Sequence, residues 1–233
     1  MSEARLRVSV IGLGKLGACM AAALAERGHT VFGVDVRQEV VDLLALGKAP
    51  VIEPGLQDMI TRNRDRITAT QDIDAAVEAT DLTFVVVPTP SEPNGAFSLE
   101  HAAAAFRALG QALRSRTRYH LVVLTSTVLP GSTRYRLIAE LEASSGRRCG
   151  PDFGVCYSPE FIALGSVIKD FLHRKAKGGE LYKVTADRFY PRVTLAALAA
   201  IAQETSRAQA DLKRLKTMEM DGNRLFAGAA DEH

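Results

Sequence analysis

The run Gly12-Leu13-Gly14-Lys15-Leu16-Gly17 sets three glycines at steps of two and three, and Asp35 ends the next apolar segment. In such a pattern the first glycine permits a tight turn and the second lets a pyrophosphate approach the backbone. The third lets helix and strand pack closely. Free N–H groups at the helix start then face the phosphates. Asp35 stands where a carboxylate accepts hydrogen bonds from both ribose hydroxyls of an adenosine. Its charge repels a 2′-phosphate, so the pattern points to NAD rather than NADP. Arg37 is the one feature that softens this, and it otherwise reads as a solvated residue on the first turn of a helix.

Hydroxyls and one acid follow at three later points. In "VVVPTPSEP" Pro88 and Pro90 stiffen the chain around Thr89, aiming its hydroxyl and backbone outward. Thr89 alone reads equally well as a turn residue. In "LTSTVLPGST" Ser126 and Thr127 stand where small hydroxyls bond a ribose, a nicotinamide amide or a catalytic water. Their plainer role is N-capping of a helix over 131–143, which Ser132 also suits. In "YSPEF" Glu160 follows Pro159, and a carboxylate facing substrate there positions water or accepts a proton. A lone loop acid more often caps a helix.

These residues need a scaffold of strands that end together. "LRVSVIG", "HTVFGVDV", "RITAT", "DLTFVVVP", "YHLVVLTST" and "DFGVCYSP" read as strands, and helical segments separate them. "DLTFVVVP" lacks polar alternation, as a strand covered on both faces does. The connections suit right-handed βαβ crossovers. The predicted fold class is therefore α/β, a doubly wound parallel sheet (Rossmann-like) over residues 1–172, with ligands outside the carboxyl ends of the strands. A helical C-terminal tail is expected to follow. Residues 173–190 read as a Lys/Gly linker, and 191–233 as one long helix with a weak heptad-like stripe and a loose end.

A net charge of +2 gives no electrostatic case for nucleic acid or an acidic membrane. No apolar run is long enough to span a bilayer, and the start of the chain lacks a signal-peptide pattern. Cys19, Cys149 and Cys156 form no metal-ligand spacing and read as buried or half-buried thiols of a reducing cytosol. The expectation is a cytoplasmic protein with no metal.

Taken in order, "VIGLGKLG", "GVDV", "EPGL", "VPTP", "STVLPGST" and "SPEFIALGSVIKDF" resemble the UDP-glucose/GDP-mannose dehydrogenase family over residues 6–172. That family oxidises the C6 hydroxymethyl of a nucleotide-linked sugar to a carboxylate, passing two hydrides to two NAD molecules. The resemblance implies that Gly12, Leu13, Gly14, Lys15, Leu16, Gly17 and Asp35 bind NAD. It also implies that Thr89, Ser126, Thr127 and Val128 line the cofactor crevice. Thr127 would help to hold a catalytic water, and Glu160 would act at the sugar as acid/base or water-positioning group. The implied partner is a nucleotide sugar such as UDP-glucose, in a protein of polysaccharide biosynthesis. Members form homodimers through a central helix.

The sequence departs from the pattern at three points. Leu164 stands where many members carry a second Glu, and after Leu172 the chain reads His173-Arg174-Lys175 in place of an Asn-Pro-Asp-type turn. The family's GGxCxPxD-like loop, whose thiolate carries the intermediates between the two oxidations, has no counterpart among the three cysteines. "GELYKVTADRF" echoes the family's central helix, with Lys183 at its Lys and Asp187 at its Asn. The expectation is a nucleotide-sugar 6-dehydrogenase chain that keeps the NAD domain without the catalytic-Cys domain. The alternatives are a catalytically dead NAD-binding remnant and, more distantly, a hydroxyacid dehydrogenase related to 6-phosphogluconate dehydrogenase.

Overall fold

The structure is a computed structural model that describes residues 5–93, 95–158, 167 and 168. All of these fall in one unit, Met1–Leu172. The expected linker and tail helix, residues 173–233, lie outside the described residues, and so does Glu160.

Strands β1 (Arg7–Ile11), β2 (Thr30–Val34), β3 (Ile67–Thr70), β4 (Leu82–Val85), β5 (Leu121–Leu124) and β6 (Gly154–Tyr157) form a six-stranded sheet in the order β3-β2-β1-β4-β5-β6. Every pairing is parallel. The intervening helices are α1 (Lys15–Glu26), α2 (Gln38–Ala45), α3 (Leu56–Arg62), α4 (Ile73–Ala79), α5 (Glu100–Leu113) and α6 (Ile138–Ser145). The chain steps outward from β1 to β3, then returns to lay β4 on the free side of β1. Loops leaving β1 and β4 therefore diverge, and a crevice opens between them at the carboxyl ends. The doubly wound, Rossmann-like sheet expected from the sequence is the fold of the described residues.

Register fixes what reaches that edge. Val34, Ile11, Val85, Leu124 and Tyr157 stand in one row across neighbouring strands. Asp35, Gly12, Val86, Thr125 and Ser158 consequently fall one step beyond it. The ladder still holds them there: the amides of Gly12, Val86, Thr125 and Ser158 donate to the carbonyls of Val34, Ile11, Val85 and Leu124 at 2.8–2.9 Å.

Side chains alternate across the sheet. Ile11, Val85, Val122 and Leu124 join a buried layer with Val77 of α4, Phe106 and Leu109 of α5, and Leu137 and Leu141. Strands β4 and β5 are buried at every position, as strands covered on both faces must be. Helix α1 is buried from Gly17 to Ala25, and its small side chains let it lie close to the strands. Gly33 of β2 makes room for Leu13: a Cβ there would lie 3.1 Å from both Leu13 methyls. The entry to α6 differs from the helix expected over 131–143. Wide π-type turns run over Thr133–Leu137 before the α-helix proper, and Ser132 is already helical with no side-chain cap.

The amino ends of the strands hold a polar staple that the sequence does not announce. Arg116 is buried and donates to the carbonyls of Val77, Glu78 and Thr80 at the end of α4. Behind it Ser9 Oγ, Thr83 Oγ1 and His120 Nε2 form a buried chain with links of 2.6 and 2.7 Å. Burial, and then the charge of Arg116, push His120 down to about 3, so the ring is neutral.

Candidate functional site

The three glycines of the first loop have different reasons to be glycine. Gly12 has φ +93, and a Cβ there would lie 2.2 Å from the Val86 carbonyl oxygen. At Gly17 a Cβ would lie 1.8 Å from the carbonyl oxygen of Gly12, so α1 packs against its own entry loop. Both are demanded by the fold. Gly14 is not: its φ of −67 and ψ of −166 suit any residue, and a Cβ there would meet nothing within 4 Å. The open space above Gly14 is a cradle that a side chain would fill.

Gly14 also begins α1 with no side-chain cap, and no acid occupies the first turn. The ladder starts when Ala18 donates to the Gly14 carbonyl at 2.9 Å. The amides of Lys15, Leu16 and Gly17 thus belong to the first turn, where N–H groups have no intrahelical acceptor and carry the positive end of the helix dipole. Lys15 is exposed beside them. This arrangement suits a diphosphate.

Asp35 faces the loop from the end of β2 and is 7% exposed. Its Oδ2 accepts the Leu13 amide at 2.8 Å, so the acid also fixes the loop's shape. Its Oδ1 accepts the Arg37 amide at 3.0 Å and Arg37 Nε at 3.3 Å. Arg37 is therefore an ion-pair partner of Asp35 rather than the merely solvated residue its position suggested.

The exits of β4 and β5 are clasped together. Ser126 Oγ donates to the Val87 carbonyl at 2.6 Å and accepts the Val87 amide at 2.9 Å. Thr89 Oγ1 donates to the Thr127 carbonyl at 2.7 Å. Ser126 and Thr89 thus tie the two loops into one wall, and no side chain caps the helical stretch after Ser132. The Thr127 side chain is left on the exposed side of this wall, while Val128 is buried and its amide reaches Tyr157 Oη of β6 at 3.5 Å. The structure brings Gly12, Gly14, Asp35, Thr89, Ser126, Thr127 and Val128 to one edge of the sheet.

Glu53 was not singled out in the sequence. It is 8% exposed, and its Oε1 accepts the Val167 amide at 3.0 Å, joining the loop before α3 to the segment that follows "SPEF". Its sequence signal is its place at the head of "EPGL", one of the segments that carry the family resemblance. Its charge also bears on Cys19: burial, then Glu53, push that thiol up to about 12, which leaves it inert as a nucleophile at neutral pH. Among the described residues no helix is long and apolar enough to cross a membrane.

Comparison with known proteins shows the family that shares this fold. Residues 6–182 match the NAD binding domain of the UDP-glucose/GDP-mannose dehydrogenase family, which carries the likeness past Leu172. The GDP-mannose 6-dehydrogenase of Pseudomonas putida is 42% identical over 168 residues, 71% of this chain and 38% of that protein. The UDP-glucose 6-dehydrogenase AglM of Haloferax volcanii is 37% identical over 194 residues, 81% of this chain and 45% of the relative. Among solved structures, a ternary complex of GDP-mannose dehydrogenase from Pseudomonas aeruginosa superposes with TM-score 0.70 at 41% identity. It covers 71% of this chain and 38% of that one. A UDP-glucose dehydrogenase from Pyrobaculum islandicum gives 0.69 at 33%, covering 86% and 49%. The chain thus spans less than half the length of these relatives.

Proposed function

The chain belongs to the UDP-glucose/GDP-mannose dehydrogenase family, and from that premise we propose that it is the NAD-binding part of a nucleotide-sugar 6-dehydrogenase. NAD is the cofactor of the domain, and when bound it supplies a two-electron hydride acceptor. The observation that carries the proposal is Gly14. Nothing in the fold requires glycine there, whereas a pyrophosphate lying against the backbone does.

Each residue then has a physical task. Gly12 and Gly17 set the loop, Leu13 seats it on Gly33, and the amides from Lys15 to Gly17 bind phosphate, with the Lys15 ammonium beside them. Asp35 holds the loop through Leu13 and offers its carboxylate to the adenosine ribose. Thr89, Ser126 and Val128 form the wall of the nicotinamide half of the crevice, and Thr127 presents its hydroxyl for a water at the reacting carbon. Glu160, outside the described residues, serves as acid/base or water-positioning group toward the sugar. In this reading Glu53 anchors the far end of the segment that bears it.

The substrate class is a nucleoside-diphosphate sugar with a free C6 hydroxymethyl, in line with relatives named for GDP-mannose and UDP-glucose. Burial pushes the Cys19 thiol up to about 12, so this residue of α1 does not serve as a thiolate nucleophile. Residues 173–233 are proposed as a linker and a helical tail. Titration with NADH under nicotinamide fluorescence tests the proposal. A saturable enhancement at one site per chain, displaced by NAD, supports it; a folded chain without saturable signal refutes it.

A further inference from the structure

The ribose edge of the cradle pairs its acid with a cation. Asp35 Oδ1 accepts both the amide and Nε of Arg37, and the Arg37 side chain is 52% exposed while that of Asp35 is 7% exposed. We propose that Arg37 is a specificity-determining residue that lets the cradle admit a 2′-phosphorylated dinucleotide, so that the chain takes NADP as well as NAD. The proposal rests on the dinucleotide reading above.

An unaccompanied carboxylate at this position excludes a 2′-phosphate by charge, and an arginine nearby accommodates one. Here both are present, and their charges cancel. Arg37 Nε can stay on Asp35 Oδ1 and keep that cancellation, because the two Nη groups of the half-exposed guanidinium are bonded to no other described residue. With the side chain gone, Oδ2 keeps the Leu13 amide at 2.8 Å and Oδ1 keeps the Arg37 amide at 3.0 Å. The buried carboxylate therefore stays hydrogen-bonded while the arginine fork, whose planar donors match phosphate oxygens, reaches across the mouth.

The rest of this edge is permissive. Val36, between the acid and the arginine, is 88% exposed, so its side chain is packed against nothing. The Gln71 amide nitrogen donates to the Val36 carbonyl at 2.6 Å and brings no charge. Asp72, the next residue, has its carboxylate on the Ala75 amide at the head of α4. Glu39 in the first turn of α2 is the remaining acid close in sequence, and it is exposed to solvent, where water and salt screen it.

Calorimetric titration of the folded chain with NAD and with NADP, for wild type and Arg37→Ala, tests this. The readout is the ratio of the two dissociation constants, with NAD binding itself showing that the variant is folded. Loss of a charge-assisted phosphate contact should raise the ratio by about tenfold or more, through weaker NADP binding. A rise of less than about fivefold, or a wild type that binds NAD and not NADP, overturns the proposal. If neither nucleotide binds, the dinucleotide reading falls and takes this one with it, an outcome plainly distinct from loss of NADP alone.

Discussion

Replacing Gly14 by alanine separates what the fold needs from what a ligand needs. A Cβ at Gly14 meets nothing within 4 Å, and the backbone angles there suit alanine. Two small effects on stability oppose each other. Alanine lowers unfolded-state entropy, worth about 0.4–1 kcal/mol in its favour, and is a poorer N-cap than glycine by a similar amount. The net change in stability should stay within about 1 kcal/mol, or about 2–4 °C in Tm for a chain of this size. Binding should change far more. The methyl group occupies the space of the approaching pyrophosphate, so at least one charge-assisted hydrogen bond is lost, about 1.5–3 kcal/mol. That corresponds to about 10–150-fold in Kd for NAD. Gly17→Ala is the contrasting control. Its Cβ would lie 1.8 Å from the Gly12 carbonyl oxygen, a backbone atom with nowhere to go. That strain should exceed the usual overpacking cost of about 1–3 kcal/mol and lower Tm by several degrees or prevent folding. Thermal melts and calorimetry on both variants decide the matter. A Gly14→Ala chain that binds NAD like wild type, or that fails to fold, refutes the reasoning.

Asp35→Ala should weaken NAD binding by about 1.5–3 kcal/mol and also loosen the loop, because the Leu13 amide loses its acceptor. Unchanged affinity by calorimetry would remove Asp35 from the site. Stability should fall on acidification. His120 is held down to about 3, whereas the unfolded ring takes its proton near pH 6.5, so the unfolded state binds more protons between those values. The slope from this group approaches about 1.4 kcal/mol per pH unit below pH 6, so about 1.6 kcal/mol is lost between pH 6.5 and 5. Urea melts of wild type and His120→Gln across that window check this, and equal slopes would contradict it. Finally, the chain with NAD and either UDP-glucose or GDP-mannose should give no sustained NADH, because none of its cysteines lies in a GGxCxPxD-like loop. Steady absorbance growth at 340 nm from pure chain, converting sugar to uronic acid, would count against that.

The nucleotide end of the molecule was legible because its signals are local. A β-branched strand, a glycine-spaced turn and an Ala-rich helix follow one another within residues 6–28, and parallel strands buried on both faces carry a plain apolar signature. What escaped was tertiary. Ser126 and Thr89 read in sequence as hydroxyls facing a crevice, yet each finds its partner 38 or 39 residues away, once β4 and β5 lie side by side. Arg116 precedes the strand read in "YHLVVLTST" and His120 falls within it, but only the packed ends of α4, β1 and β4 supply the carbonyls and hydroxyls that hold them. Glu53 meets Val167 across 114 residues, a separation at which pattern reading has no purchase. Arg37 shows the same limit at short range. Its place after Asp35 was visible, but the ion pair depends on a side-chain rotamer.

Backbone amide NMR of the isotopically labelled chain, recorded with and without NAD, tests the central claim most directly, because it reports where the ligand sits as well as whether it binds. Shifts should concentrate on the amides of Gly12 to Gly17, Asp35 to Arg37, Thr89 and Ser126 to Val128, and leave the Arg116–His120 staple unmoved. A well-dispersed spectrum that does not respond to NAD, or that responds elsewhere, contradicts the account.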